Sequence, residues 1–110
     1  MDQLSIDFTA AAAARDAGMQ QALCHAEAEA EGWGDRAMAS LKRFIDSARE
    51  PFLIEDVRAA AEREGLDPPP DARAWGAVVM RAARAEIIRK AGYAPARTSH
   101  CSIKPLWEGI

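Results

Sequence analysis

PPPDARAWGAVVMRAARAEIIRKAGYAPARTSHCSIKPLW, residues 68–107, decides the fold. Its first half reads as a helix. The proline run cannot continue a preceding helix but tolerates the start of a new one, and Asp71 stands at or beside that start. Trp75, Val78, Val79 and Ala82 recur at helical spacing as one apolar stripe, whereas Arg73, Ala77, Arg81 and Arg84 fall mostly on the other side. The second half reads as a hairpin. The β-branched pair Ile87-Ile88, then Gly92 and Pro95, favour a strand over more helix. Ala94 to Ser102 reads as a flexible basic loop, and Ile103 to Trp107 as the returning strand, with Pro105 at an edge or bulge.

Upstream of the prolines, Glu55 and Asp56 suit the first turn of a short helix running to about Glu64, with Val57, Ala60 and Ala61 inward. Gly65 fits the position just past its end, and Leu66 supplies the apolar contact beyond. Phe52-Leu53-Ile54, after the helix-ending Pro51, suits a three-residue strand. A helix from about Arg36 to Ala48, with Asp35 as its N-cap, turns Met38, Leu41, Phe44, Ile45 and Ala48 to the core and leaves Lys42, Arg43 and Arg49 solvated. The Ala-rich segment from Phe8 to about Glu31 is a further helix behind a loose lead-in of residues 1–7. Thr9 is its candidate cap. Its stripe of Met19, Leu23, Ala26 and Ala30 is narrow, as suits a helix at a domain edge or on a partner. The organisation expected is an N-terminal helical extension over 1–32 and a compact domain over 33–110.

A chain of 110 residues is most simply one domain, and its 49% apolar content is ordinary for a globular protein. Much of that content is alanine and only 6% is aromatic. The expected anchors are therefore the few large rings, Trp33, Phe44, Phe52, Trp75, Tyr93 and Trp107. The net charge of −3 hides an asymmetry: residues 1–67 carry 7 Lys/Arg against 14 Asp/Glu, and residues 68–110 carry 7 against 3. A basic segment set against an acidic one hints at a nucleic-acid face, although an acidic helical half also serves as plain solvated surface.

The two cysteines make no disulfide framework. No apolar run is long enough to span a bilayer, and no signal-peptide pattern opens the chain, so a reduced, cytoplasmic protein is expected. Cys24-His25 and His100-Cys101 invite a zinc or thiol reading. Adjacent helical side chains diverge by roughly 100°, and structural zinc pairs are spaced by two to four residues. Cys24 is more simply a small buried apolar residue and His100 a polar loop residue. Without a phosphate loop or a nucleophile-base-acid set, neither catalysis nor a cofactor or metal is expected.

Three groups of residues carry a resemblance: Asp71-Ala-Arg-Ala-Trp-Gly-Ala-Val-Val, then Ile87-Ile88-Arg-Lys-Ala-Gly-Tyr, then His100 with Trp107 seven residues later. Together they resemble the C-terminal part of small phage- and prophage-encoded winged-helix proteins, over about Trp33 to Trp107. Phe52 ahead of Glu55-Asp56 also fits. Leu53-Ile54 stands where such proteins tend to have threonines, so the usual N-cap hydroxyl is missing. The resemblance implies a mainly α winged helix-turn-helix with a small β-hairpin wing and an extra N-terminal helix. It further implies that the helix after the prolines enters the major groove of double-stranded DNA. Arg73, Arg81 and Arg84 would then meet bases or phosphates, and Arg89, Lys90, Arg97 and Lys104 would meet phosphates from the hairpin. Such a protein would act as a small regulator or replication accessory. The alternative is a winged-helix module for protein–protein interaction without DNA contact, with the first helix available to a protein partner or to homodimerisation. The helix after the prolines separates the two. Exposed, unpaired arginines favour DNA; arginines neutralised by carboxylates, or a face covered by the first helix, favour protein binding.

Overall fold

The computed structural model describes residues 3–97 and 102–110, with side chains described from residue 12 onward. Four helices, α1 (Gln3–Glu29), α2 (Trp33–Ser47), α3 (Ile54–Arg63) and α4 (Arg73–Arg84), precede an antiparallel hairpin of β1 (Ile88–Pro95) and β2 (Ile103–Gly109). The protein is thus mainly helical with one two-stranded hairpin, as expected. Phe52 adds a single bridge to Trp107 on β2, where each backbone N–H donates to the other's carbonyl at 2.9 and 2.8 Å. The expected strand over Phe52-Leu53-Ile54 shrinks to that one residue, because Leu53 already serves as the N-cap of α3.

Helix ends follow local chemistry. Leu53 offers no side-chain oxygen to cap α3. Half of a capping arrangement survives, with the Leu53 N–H donating to Asp56 Oδ2 at 3.2 Å. At the other end Gly65 takes φ 105°, its N–H donates to Glu62, and that of Leu66 reaches back to Ala61. This is the glycine-ended closure expected there. Glu86 closes α4 in the same way, with N–H bonds from Glu86 to Ala83 and from Ile87 to Ala82. Here a non-glycine residue sits at φ 60°.

Two helix starts differ from expectation. α1 begins at Gln3 and not at Phe8, because helix-favouring residues run on without a breaker. Thr9 lies where only the backbone is described. α2 begins at Trp33 and not at Arg36, and Asp35 is no cap. The Glu27 carboxylate of α1 accepts the N–H groups of Gly32 at 3.1 Å and Gly34 at 2.5 Å, so the preceding helix caps the next one. Gly32 makes the turn at φ 80°.

The core lies between α2, α3, α4 and the hairpin. Trp33, Leu41, Val57, Ile88 and Trp107 are buried in it with the expected Trp75, Val78, Val79 and Ala82. Trp33 and Trp75 meet edge to face, centroids 5.4 Å apart, and the Trp33 Nε1–H donates to the Asp67 carbonyl at 2.9 Å. Phe44 and Phe52 form a second edge-to-face pair at 5.0 Å. Tyr93 is not the anchor expected: it is 62% exposed on β1. The hairpin also keeps its pairing further out than expected. Ala94 opposes Lys104 and Pro95 opposes Ile103, and the Ala96 N–H donates to Ser102, so the loop is shorter than Ala94–Ser102. Pro105 pairs with Tyr93, and the irregularity in the ladder lies instead at Lys90–Gly92.

α1 is packed on the rest. Its Ala22 and Ala26 are buried within the core cluster, with Leu23 and Ala30 against its margin. α1 and α4 lie side by side, and two small residues permit it: a Cβ on Gly76 would collide with the Met19 sulfur, and Ala77 is only 1% exposed. Ala77 had been expected on the open side of α4. Cys24, expected inside, is exposed, since the narrow buried edge of α1 passes through Ala22 and Ala26 instead.

Candidate functional site

The helix that follows the prolines is the sequence's first candidate. It starts where Asp71 directs it: Asp71 Oδ1 accepts the Arg73 N–H at 2.9 Å, satisfying one of the donors left free at a helix start. The same carboxylate takes the Arg73 side chain in a two-pronged pair, from Nε at 3.0 Å and Nη2 at 2.6 Å to Oδ2. The side-chain hydrogen bonds from Arg73, then its backbone N–H, hold the Asp71 carboxyl down to about 2. Arg81 faces Asp35 at 3.7 Å and Arg84 faces Asp16 on α1 at 3.8 Å. All three arginines are exposed, but each has an aspartate beside it, and α1 covers the surface between them. Exposed pairs of this kind contribute little to stability. They matter more for charge, because the positive field of α4 is largely answered within the chain.

The hairpin cations divide in two. Arg89 Nε lies 2.8 Å from Glu108 Oε2, on the opposed strand position. The Arg97 guanidinium pairs with Asp56, and its backbone N–H donates to Glu55 at 2.8 Å. Lys90 has no carboxylate partner among the described residues; its Nζ lies 5.7 Å from the centroid of the Tyr93 ring. Lys104 has no ion-pair partner among the described residues. Of the expected seven, five are thus neutralised, and the structure does not gather the seven on one free face.

A second site emerges where α1, the starts of α3 and α4, and the hairpin converge. It is an open groove of about 390 Å³, within the roughly 300–1,000 Å³ usual for ligand pockets. Leu53, Trp75 and Ala96 are buried in its lining, and Met19 and Ile54 are half-buried. Arg15, Arg58, Arg73 and Lys104 also line it. Arg15, Arg58 and Lys104 come from three different elements, and none has an ion-pair partner among the described residues. Trp75 is 2% exposed, and its Nε1–H meets no acceptor among the described residues. A buried donor left unpaired costs roughly 1–3 kcal/mol, so the position asks for an explanation. The reading of the sequence missed Arg15 and Arg58, which carry no local signal; only the fold brings them with Lys104 to the lining of one groove.

His25 Nε2 lies 3.8 Å from Glu29 on the exposed side of α1, and Cys24 is beside it. His100 and Cys101 lie outside the described residues, as do Thr98 and Ser99. No described helix is long and apolar enough to cross a membrane. No family model matches the chain, and neither the curated proteins nor the solved structures yielded a match.

Proposed function

We propose that this chain is a winged-helix protein that binds another protein, and that α4 does not read duplex DNA. The order α2, Phe52 bridge, α3, α4, β1, β2 supports the winged-helix reading, with the hairpin as wing and the Phe52–Trp107 bridge as the remnant of a third strand. One observation carries the function: α1 lies along the helix that would enter a major groove, with Met19 against Gly76 and Ala77 buried. A helix enters that groove by its own side chains, and here those side chains face α1 or aspartates.

The test is binding to random duplex DNA at several salt concentrations, for the wild type and for Arg73→Ala/Arg81→Ala/Arg84→Ala. The expected result is weak binding that the triple substitution leaves unchanged. Tight binding whose salt slope falls by about 0.9 for each lost phosphate contact in the variant would overturn the reading.

A second reading keeps duplex DNA, held at phosphates by the hairpin, and makes the protein a small phage-type regulator or replication accessory. The observation favouring it is that Lys90 and Lys104 have no carboxylate partner among the described residues. Lys90→Ala/Lys104→Ala in the same salt series separates it from the first: only here does that pair of substitutions reduce the slope.

A further inference from the structure

Eight Lys and Arg side chains lack an ion-pair partner among the described residues, and three of them share one groove. Arg15 of α1, Arg58 of α3 and Lys104 of β2 meet at one groove whose base is apolar. We propose that this groove docks an acidic segment of a partner protein that carries one bulky apolar side chain; the proposal rests on the protein-binding reading and names its site and partner chemistry.

Charge complementarity selects the occupant. Three positive groups from separate elements, without ion-pair partners among the described residues, repel one another, and a ligand bearing carboxylates relieves that repulsion. The starts of α3 and α4 also lie in the lining, through Ile54 and Ala72-Arg73, and place the positive ends of two helix dipoles there. Glu55 is the carboxylate within the lining, and it already accepts the Arg97 N–H at 2.8 Å. Arg73, bound to Asp71, adds little net charge.

The base selects the anchor. Met19 and Ile54 present apolar surface over the buried Leu53 and Trp75, and about 390 Å³ accommodates one aromatic or branched aliphatic side chain with its adjoining backbone. The indole N–H of Trp75 lacks an acceptor among the described residues. Trp75 lines the groove, so its indole Nε1–H reports on a ligand seated there. Duplex DNA presents no apolar side chain for such a base.

The test titrates ¹⁵N-labelled full-length protein with three short capped peptides. One has a central Phe flanked by Asp and Glu, one has Lys in place of the acids, and one has Ala in place of the Phe. The readout is the Trp75 indole Nε1–H cross-peak, assigned through its contacts to Trp33. Expected is a saturable shift with the acidic Phe peptide, and affinity weaker by about tenfold or more for each of the other two. Arg15→Glu/Lys104→Glu, both exposed positions, is expected to weaken the first peptide by a similar factor with an unchanged melting curve. A silent Trp75 peak at millimolar peptide overturns the groove, as does equal binding of the Lys peptide or stronger binding of a single-stranded oligonucleotide there. These outcomes differ from failure of the protein-binding reading itself, which shows as duplex binding that follows the α4 arginines.

Discussion

Met19 occupies the space that a Cβ on Gly76 would take. Glycine in a helix interior normally costs about 1 kcal/mol relative to alanine, so its presence mid-helix in α4 needs a reason, and the close approach of α1 is one. Gly76→Ala gains helix propensity but displaces the Met19 sulfur, and the expected net effect is a loss of about 1 kcal/mol. In a Met19→Ala background the same substitution is expected to stabilise by about 0.5–1 kcal/mol. Urea unfolding of the four proteins measures the coupling; additive effects would show that Met19 and Gly76 do not touch.

Glu27 joins the first two helices by capping one from the other. Glu27→Ala removes the acceptor for two backbone donors, one of them on the buried Gly34, and is expected to cost about 1–2 kcal/mol. Hydrogen exchange should rise at Gly32 and Gly34 more than at the far end of α2. Uniform protection across α2 in the variant would count against the cap.

Glu86 sits at φ 60°, a left-handed conformation that a residue with a Cβ holds at a cost of roughly 1–2 kcal/mol. Glycine removes that strain and returns part of the gain as greater freedom of the unfolded chain. Glu86→Gly is therefore expected to raise stability by about 0.5–1 kcal/mol, read as a rise in the denaturation midpoint at unchanged slope.

The Asp71–Arg73 pair fixes a pH dependence. Arg73 holds the Asp71 carboxyl at about 2, below its ordinary value of 3.8, so the fold favours the ionised form. The stabilisation is complete above the unfolded value and is lost as pH falls towards about 2. A ¹³C titration of the Asp71 carboxyl is expected to show a midpoint near 2 in the wild type and a higher one in Arg73→Ala, still below 3.8 because the backbone N–H of residue 73 keeps its bond to the carboxylate. An unchanged midpoint in the variant would exclude Arg73 as the cause.

Much of the fold was legible because it rests on strong local signals. The stripe Trp75, Val78, Val79 and Ala82, the Gly65-Leu66 helix ending and the turn to β structure near Ile88 each follow from neighbours in sequence. The position of α1 was not legible. Its buried contacts are made by Ala22 and Ala26, and its partner surface on α4 by Gly76 and Ala77. Small side chains look alike to a periodicity argument whether they are buried or exposed. Tyr93 misled in the opposite sense, being large enough to suggest an anchor yet held outward by its place on β1. The candidate site suffered most. Which arginine remains unpaired depends on Asp16, Asp35, Asp56 and Glu108, all remote in sequence from the arginines they meet.

The seating of α1 on α4 also bears on how the chain reaches its fold. Met19 and Gly76 lie about half the chain apart, so α1, synthesised before α4, waits for that helix before it has its main neighbour. Until then α1 has only its propensity and the Glu27 link to α2 to hold it. Its docking is therefore expected as a late event, after α2, α3, α4 and the hairpin have condensed. Substitutions at Met19 should then speed unfolding while leaving the folding rate almost unchanged.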